Sequence, residues 1–355
     1  MKNNRRNFIR QTLTGLTGLA FASDLKGFNS GKFLIEQDKN SSTLPLILAD
    51  QDGKPITTLT EWKKQREVIK KRWHDYLGIL DPNPNPPVLT VLKEDRPEGL
   101  VRQLVEYESE PGILVQGYLI KPADIDKPLP GIVAMHSTSD NKMLFISGVE
   151  QGKIVPFGYR LAKKGFVVFC PLCFLYHDKG DRTSEQQVGR FKKSHPQSKG
   201  MAKMLFDAQR AVDVLEILAE VDSNRIGSTG HSLGAKEAFY LAAFDDRVKA
   251  TVSNEGGIGI SFSNWDASWY LGREIHDFNH EHHEILSLIA PKPFLLIGGD
   301  SADGEISRPY IKAVYPVYEL YGNKRNNIEL FNHGQGHSVT PFSEKLTYDW
   351  LIDYL

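Results

Sequence analysis

The sequence predicts an α/β fold in which helices cover both faces of a mostly parallel β-sheet. Short, almost continuously apolar runs alternate with helical patterns over residues 131–331, as expected for parallel strands buried on both faces. Two strand-like runs around a tight turn precede them at residues 101–120. A further apolar run at residues 225–228 leads into Gly-His-Ser-Leu-Gly and then into an Ala-rich helical pattern. These three features favour one catalytic domain built on a single sheet.

Composition excludes several classes of partner. The 355-residue chain carries 43 Lys and Arg against 44 Asp and Glu, and 40% of its residues are hydrophobic. A chain of this length and composition can bury a full-sized core. Because the charges balance, we expect no nucleic-acid or polyanion partner. Nothing in the sequence indicates an oligomeric state.

The N-terminus has the three parts of an export signal. Arg5 and Arg6 are followed by a mildly apolar run at residues 12–19 and by the small-residue site Ala20-Phe21-Ala22. We therefore expect residues 1–22 to be a twin-arginine signal peptide and the mature protein to be periplasmic. The apolar run is too short and too rich in glycine for a permanent membrane anchor.

Residues 23–95 are expected to form an N-terminal tether and a bracing helix, followed by an α/β catalytic domain at residues 96–355. Trp62, Ile69, Trp73 and Leu77 recur at helical spacing among charged residues, so an amphipathic helix is expected at residues 58–77. The Pro-rich run at residues 81–87 cannot continue it.

The catalytic domain shows a regular order of predicted elements. An antiparallel pair of strands is expected at residues 101–107 and 113–120. Further strands are expected at residues 131–135, 166–169, 225–228, 248–252, 294–297 and 328–331. Covering helices are expected at residues 201–219, 310–321 and 343–354.

The Gly-x-Ser-x-Gly sequence at residues 230–234 matches a nucleophile elbow. A tight strand-to-helix turn holds the serine away from the backbone, and glycines at both ends let the strand and helix close over it. Ser232 is therefore the candidate nucleophile. An antiparallel pair of strands followed by a serine elbow after the third parallel strand is the order of the α/β-hydrolase fold.

A serine nucleophile needs a base and an oxyanion hole. His337 follows the last strand and precedes the closing helix, so the Ser-acid-His chain order favours it over His333. The backbone N–H of Leu233 is expected to bind the oxyanion. Its partner is the N–H of Ser137 or of Thr138, in the loop after the first parallel strand.

Two carboxylates are candidates for the acid that orients the histidine. Asp303 lies in the loop after the penultimate strand, which is the usual place. Glu255 directly follows the strand after the nucleophile helix and precedes two glycines, an unusual setting for a solvated side chain. Both residues remain candidates, since a triad needs only one acid.

Other residues suggest substrate contacts. Lys236 lies in the first turn of the helix after the elbow, where a cation opposes the helix dipole; this suggests a functional use, with an ordinary surface lysine as the alternative. Trp265 and Trp269 could offer flat faces to a sugar ring, with burial in the core as the alternative. Cys170 and Cys173 have redox spacing at the end of a strand, so buried thiols or a strained disulfide are expected rather than catalysis.

No metal or cofactor is expected. The histidine-rich segment at residues 280–284 lacks the H-E-x-x-H spacing of a zinc protease. The serine mechanism needs no cofactor.

Several motifs carry a family resemblance over residues 130–340. Ser232 with Lys236, Glu255 in an Asn-Glu-Gly-Gly setting, and residues 282–293 together resemble the glucuronoyl esterases of carbohydrate esterase family 15. The resemblance implies that some members carry the acid at the position of Glu255 and others at that of Asp303, and that the lysine contacts a sugar hydroxyl. Leu233 stands where that family usually has arginine. The chain also resembles dienelactone-hydrolase-like and acetyl-xylan-esterase-like proteins.

The sequence therefore predicts a serine esterase acting on polysaccharide-derived substrates, either a glucuronoyl ester or an O-acetyl group. The alternatives are a general carboxylesterase or peptidase-like hydrolase, and a non-catalytic carbohydrate-binding relative. A peptidase of this superfamily would normally carry a large accessory domain, and the region before the sheet is too short for one.

Overall fold

A mixed β-sheet is the centre of the computed structural model. The structure describes residues 44–138, 142–152, 155–177, 183–322 and 327–355, and residues 46–355 form one compact unit. Within the described residues the sheet has nine strands in the order β1-β2-β3-β5-β4-β6-β7-β8-β9. The strands are β1 Thr90–Asp95, β2 Leu100–Glu110, β3 Ile113–Pro122, β4 Leu129–Met135, β5 Val167–Pro171, β6 Val221–His231, β7 Val248–Asn254, β8 Phe294–Gly298 and β9 Ile328–Asn332.

The helices connect the strands and cover the sheet. They are α1 Leu59–Leu77, α2 Lys142–Ile146, α3 Phe157–Ala162, α4 Ser184–Ser194, α5 Gly200–Glu216, α6 Leu233–Phe244, α7 His283–Ile289, α8 Arg308–Leu320 and α9 Pro341–Tyr354. Ile226 of β6 packs in a core cluster with residues of α5 and α6. The next residue, Gly227, faces the opposite way, and a Cβ there would lie 2.6 Å from Leu355, just beyond α9. Helices therefore lie on both faces, which confirms the predicted α/β-hydrolase architecture.

The strand pairings confirm the predicted mostly parallel sheet. β1, β2, β3 and β5 pair antiparallel in that order, whereas β5, β4, β6, β7, β8 and β9 pair parallel. The parallel register brings the strand ends that carry the candidate site side by side. The pairs at this edge are Met135 with Gly230, His231 with Asn254, Asn254 with Ile297, and Gly298 with Asn332.

The amphipathic helix expected at residues 58–77 forms as α1. Its N-terminus is a capping box, in which Thr58 accepts from the N–H of Glu61 and the Glu61 carboxylate accepts in return. It ends at Gly78, which adopts a left-handed conformation with φ of 61°. The apolar stripe of α1 is fully buried, including Trp62 and Trp73.

Some elements were not predicted. All six residues of the edge strand β1 are exposed, so the sequence lacks the alternation that would reveal a strand. The helices α2, α3, α4 and α7 were not predicted either. β6 begins at Val221, four residues before the predicted start.

The two cysteines are buried and unbridged, so of the two expected states the structure has the thiols. Burial raises the pKa of both Cys170 and Cys173, which keeps them protonated. The predicted signal peptide and residues 23–43 of the tether lie outside the described residues. Among the described helices, none combines the length and apolar character needed to cross a membrane.

Candidate active site

Ser232 sits in the turn between β6 and α6 with a strained backbone. Its φ of 58° and ψ of −115° are unfavourable for a residue with a side chain. The backbone N–H of Ser232 donates to the carbonyl of Asn254 at 2.9 Å, which ties the turn to the end of β7. Every residue of α6 is buried, so the nucleophile lies at the tip of a rigid element.

The glycines of the elbow are required by close backbone contacts. A Cβ on Gly230 would lie 2.3 Å from the carbonyl group of Gly234, and one on Gly234 would lie 2.2 Å from the carbonyl oxygen of Met135. Real Cβ atoms do not approach so closely. The start of α6 is therefore packed directly against the ends of β6 and β4.

The side chains of Ser232, His337 and Glu255 form one chain of hydrogen bonds. The Ser232 Oγ lies 2.9 Å from His337 Nε2, and His337 Nδ1 lies 3.0 Å from Glu255 Oε2. An ionised carboxylate only accepts, so Nδ1 carries the proton and Nε2 presents its lone pair to the serine hydroxyl. This geometry can deprotonate the serine as it attacks.

Glu255 is held in place as a charged acceptor. Its backbone N–H donates to the Ile297 carbonyl at 2.7 Å, and its carboxylate accepts from the N–H groups of Gly299 and Ala302. Burial alone would raise its pKa, but the hydrogen bonds from His337, Ala302 and Gly299 outweigh this and hold the pKa below its usual value. The carboxylate can therefore stabilise a positive charge on His337.

Asp303 is fully buried and serves other donors. Its carboxylate accepts from the N–H groups of Gly257 at 2.6 Å and Ile258 at 2.8 Å, and from the hydroxyl of Ser307 at 2.7 Å. Burial raises the pKa of Asp303 despite these bonds. Of the two predicted acids, the structure brings Glu255 to the histidine, and Asp303 binds the backbone that follows Glu255.

The loop that carries His337 is anchored to the end of β8. The N–H of Gly336 donates to Gly299 O at 2.7 Å, and the N–H of His333 donates to Gly298 O at 2.8 Å. The ring of His333 accepts a hydrogen bond from the N–H of Gln335 at 3.1 Å. The hydroxyl of Ser232 is instead hydrogen-bonded to His337. The structure thus gives the two histidines different roles.

His231 was not singled out from the sequence. Its ring centroid lies 4.7 Å from that of His337. Burial, together with the neighbouring His337, lowers the pKa of His231 to about 4, so it packs against His337 as a neutral ring. Its position directly before the nucleophile is the sequence signal that could have identified it.

The candidate oxyanion donors lie where α6 meets the end of β4. Leu233 is the first residue of α6, so its N–H has no partner within the helix. In the facing loop, His136 Nε2 accepts from the N–H of Cys173 at 3.1 Å, and His136 Nδ1 lies 2.9 Å from Ser137 O. These bonds fix the loop that carries Ser137, which is buried, and Thr138, which is exposed.

Lys236 is almost fully buried beside the elbow. Its Nζ donates to the Ser263 hydroxyl at 2.9 Å and lies 3.8 Å from the ring centroid of Trp265 and 5.1 Å from that of Tyr270. Burial lowers the pKa of Lys236 to about 7, although Asp303 acts in the opposite direction. The amine can therefore exchange a proton near neutral pH.

The expectation that Trp265 offers a face to a sugar ring is wrong. Trp265 is 1% exposed, and its indole N–H donates to the carbonyl of Gly257 at 2.7 Å. Lys236 covers one face of the ring, so Trp265 takes the alternative of core packing. Trp269 is partly exposed and its ring centroid lies 6.0 Å from that of Tyr270.

Within the part of the chain that the structure describes, no group of three or more His, Cys, Asp or Glu side chains is arranged to hold a metal ion. The histidine-rich segment at residues 280–284 instead makes internal contacts. His280 lies 2.9 Å from the carboxylate of Glu284, and His282 is buried with both ring nitrogens in hydrogen bonds.

The fold, the elbow and comparison with known proteins define the chain as an α/β-fold hydrolase. A sequence model described as the dienelactone hydrolase family matches residues 115–271. YtaP of Bacillus subtilis (strain 168), named as a hydrolase, is 28% identical over 66% of this chain and 80% of its own length. The 4-O-methyl-glucuronoyl methylesterase of Phanerochaete carnosa is 24% identical over 83% of this chain and 76% of its own.

A solved structure extends the similarity to the whole fold. The glucuronoyl esterase from Solibacter usitatus aligns with a TM-score of 0.72 at 17% identity, over 88% of this chain and 98% of that one. Among hydrolases, the protein is therefore similar to the glucuronoyl esterases and to the dienelactone hydrolase family.

Proposed function

We propose that the protein is a serine esterase that cleaves ester bonds on polysaccharide-derived substrates. The observation that carries the proposal is the hydrogen-bonded chain from Ser232 through His337 to Glu255, with distances of 2.9 and 3.0 Å. This is the arrangement that makes a serine hydroxyl nucleophilic.

In the first half of the reaction, Ser232 Oγ attacks the ester carbonyl and His337 Nε2 takes its proton. The N–H of Leu233, with that of Ser137 or Thr138, receives the charge that develops on the carbonyl oxygen. The Glu255 carboxylate stabilises the imidazolium. His337 then donates its proton to the departing alcohol, and the acyl group remains on Ser232.

In the second half, His337 removes a proton from a water molecule, which attacks the acyl group. The second tetrahedral intermediate collapses, Ser232 recovers its proton from His337, and the free acid leaves. All proton transfers use the same imidazole nitrogen, so no cofactor takes part in this route.

Two esters fit the relatives best, a glucuronoyl ester and an O-acetyl group on a sugar. The similarity to glucuronoyl esterases supports the first, and by the same resemblance Lys236, one helical turn after Ser232, would contact a sugar hydroxyl. Leu233 replaces the arginine usual in that family, so backbone N–H groups alone would bind the oxyanion here.

A paired panel tests the proposal. The mature protein and Ser232→Ala are assayed with benzyl glucuronate and with an acetylated xylan oligomer. We expect the wild type to cleave at least one of them and Ser232→Ala to cleave neither. If the wild type cleaves neither of these esters but hydrolyses simple esters without a sugar, the protein is a general carboxylesterase. Sugar binding without hydrolysis, unaffected by Ser232→Ala, would instead indicate a carbohydrate-binding protein.

We also propose export through the twin-arginine pathway, based on Arg5, Arg6 and the segments that follow them. Replacing both arginines with lysine should leave the precursor in the cytoplasm, because the pathway recognises the arginine pair. Cell fractionation followed by N-terminal sequencing measures this. Normal periplasmic accumulation of the double variant would contradict the proposal.

A further inference from the structure

The backbone that follows Glu255 is fixed by side chains from three other segments. We propose that His282 is a positioning residue that keeps the Glu255 carboxylate in line with His337 by binding the peptide group at Ile258. This inference rests on the proposed role of Glu255 as the acid of the triad.

The two ring nitrogens of His282 have unambiguous roles. Nδ1 lies 2.8 Å from the carbonyl of Ile258, and Nε2 lies 2.8 Å from the hydroxyl of Tyr240. A carbonyl only accepts, so Nδ1 carries the proton and Nε2 accepts from Tyr240. Burial lowers the pKa of His282 to about 3, which keeps this neutral form in place over the working pH range.

Asp303 binds the same stretch of backbone through the amides. Its carboxylate accepts hydrogen bonds from the N–H groups of Gly257 and Ile258, and the indole N–H of Trp265 donates to Gly257 O. Ile258 is thus bound through its N–H by Asp303 and through its C=O by His282. The two side chains come from different segments and together fix the position of this residue.

Glu281, the residue before His282, also binds the backbone of the loop after Glu255. Glu281 Oε1 accepts from the N–H of Ile260 at 2.9 Å and from the N–H of His282 itself at 2.7 Å. The start of α7 and the loop after Glu255 are therefore joined by two hydrogen bonds, His282 Nδ1 to Ile258 O and Ile260 N–H to Glu281 Oε1. Neither segment can shift without breaking some of them.

Glu255 needs this support because its own backbone is strained. Its φ of 54° lies in the left-handed region, which residues with side chains rarely adopt. Such conformations persist only where the surroundings impose them. A carboxylate displaced by about 1 Å can cost a catalytic site a factor of ~100 in rate.

The packing around His282 prevents the ring from turning. Its centroid lies 4.4 Å from that of Trp265, edge to face, and 5.4 Å from that of Trp73 on α1. His282 has no exposed surface. The ring is therefore held in one orientation, in which it links Tyr240 of α6 to the loop after Glu255.

A pair of amide substitutions separates the two hydrogen bonds. In His282→Asn the side-chain N–H₂ can replace Nδ1 and keep the bond to Ile258 O. In His282→Gln the amide reaches the position of Nε2 and keeps the Tyr240 contact, while the bond to Ile258 O is lost. Both variants remove the imidazole, so each is the matched control for the other.

The readout is the hydrolysis of 4-nitrophenyl acetate together with the labelling rate of Ser232 by a fluorophosphonate. We expect His282→Gln to lower kcat and the labelling rate by about 10- to 100-fold, with KM little changed. For His282→Asn, kcat and the labelling rate should stay within about threefold of the wild-type values, because this variant loses only one modest hydrogen bond. Thermal unfolding reports the folded fraction of each variant.

A double-mutant cycle shows whether His282 acts through Glu255. In a Glu255→Gln background, His282→Gln should cost less than about threefold further, because the acid it positions is already missing. An equal loss in both backgrounds, or equal activity of the Asn and Gln variants, would overturn the inference. A folded wild type that neither hydrolyses the ester nor is labelled would overturn the proposed triad, and with it the role of His282.

Discussion

At the scale of single residues, two buried carboxylates lie behind His337 and make different contacts. Glu255 binds the imidazole and two backbone N–H groups of the loop after β8. Asp303 binds two backbone N–H groups of the loop after β7 and the Ser307 hydroxyl. Each carboxylate therefore holds the loop that carries the other.

Lys236 gives a prediction at the same scale. If it contacts a sugar hydroxyl, Lys236→Met should lower kcat/KM for a glucuronate ester about tenfold or more, the effect of losing a hydrogen bond from a charged group. The same substitution should leave 4-nitrophenyl acetate hydrolysis within about threefold, because that ester has no sugar hydroxyl to bind. Equal losses on both esters would show that Lys236 acts on the elbow rather than on the sugar.

At the scale of elements, α1 is attached to α7 through Glu284. The carboxylate of Glu284 accepts from Arg72 at 2.8 Å and from the indole N–H of Trp73 at 2.9 Å. Glu284→Ala would leave the buried Trp73 N–H without a partner, so we expect a loss of about 2 to 3 kcal/mol in the free energy of unfolding, measured by urea titration.

Asp75 on the same helix provides the control. It pairs with Lys71 at 2.6 Å on an exposed surface, and Asp75→Ala should change the free energy of unfolding by less than about 1 kcal/mol. Similar losses in Asp75→Ala and Glu284→Ala would show that the attachment of α1 does not depend on Glu284.

The buried carboxyl group of Glu237, in α6, should make the stability of the folded protein depend on pH. Burial raises the pKa of Glu237 to about 8, and the Cys173 thiol is its hydrogen-bond partner. The folded protein thus binds a proton that the unfolded chain releases above a pKa of 4.5. The stability contributed by the neutral carboxyl is fully present below that value and is lost as pH rises towards 8.

Glu237→Gln stays neutral and should lack this loss. Between pH 4.5 and about 8, the free energy of unfolding of the wild type should fall by at most about 1.4 kcal/mol per pH unit relative to that of the variant. At higher pH the difference between the two proteins should stay constant. Urea midpoints across this range measure it. Parallel pH profiles for the two proteins would contradict the buried, protonated state of Glu237.

At the scale of the whole molecule, the sequence was most informative where function depends on a local pattern. The elbow around Ser232 is contiguous, and the strand order follows from apolar runs, so both could be read directly. The acid could not be chosen, because β7 and β8 are neighbours and the loops after both reach His337. The choice depends on backbone geometry at Glu255, which composition does not reveal.

Burial was also hard to predict for residues in loops. Trp265 lies in a polar stretch, yet its ring fills the space between Lys236 and His282. From the sequence, His282 was rejected as a metal ligand and otherwise entered only as part of the segment 282–293 that carries the family resemblance. Its partners, Ile258 and Tyr240, are distant in sequence, so only the folded chain shows what it binds.

The most direct measurement is the rate of glucuronate ester hydrolysis by the wild type, Ser232→Ala, Glu255→Gln and Asp303→Asn at equal folded concentration. The proposed triad predicts no activity above background for Ser232→Ala, a loss of about 10³- to 10⁴-fold for Glu255→Gln, and a smaller loss for Asp303→Asn. Activity in Ser232→Ala, or a greater loss in Asp303→Asn than in Glu255→Gln, would contradict it.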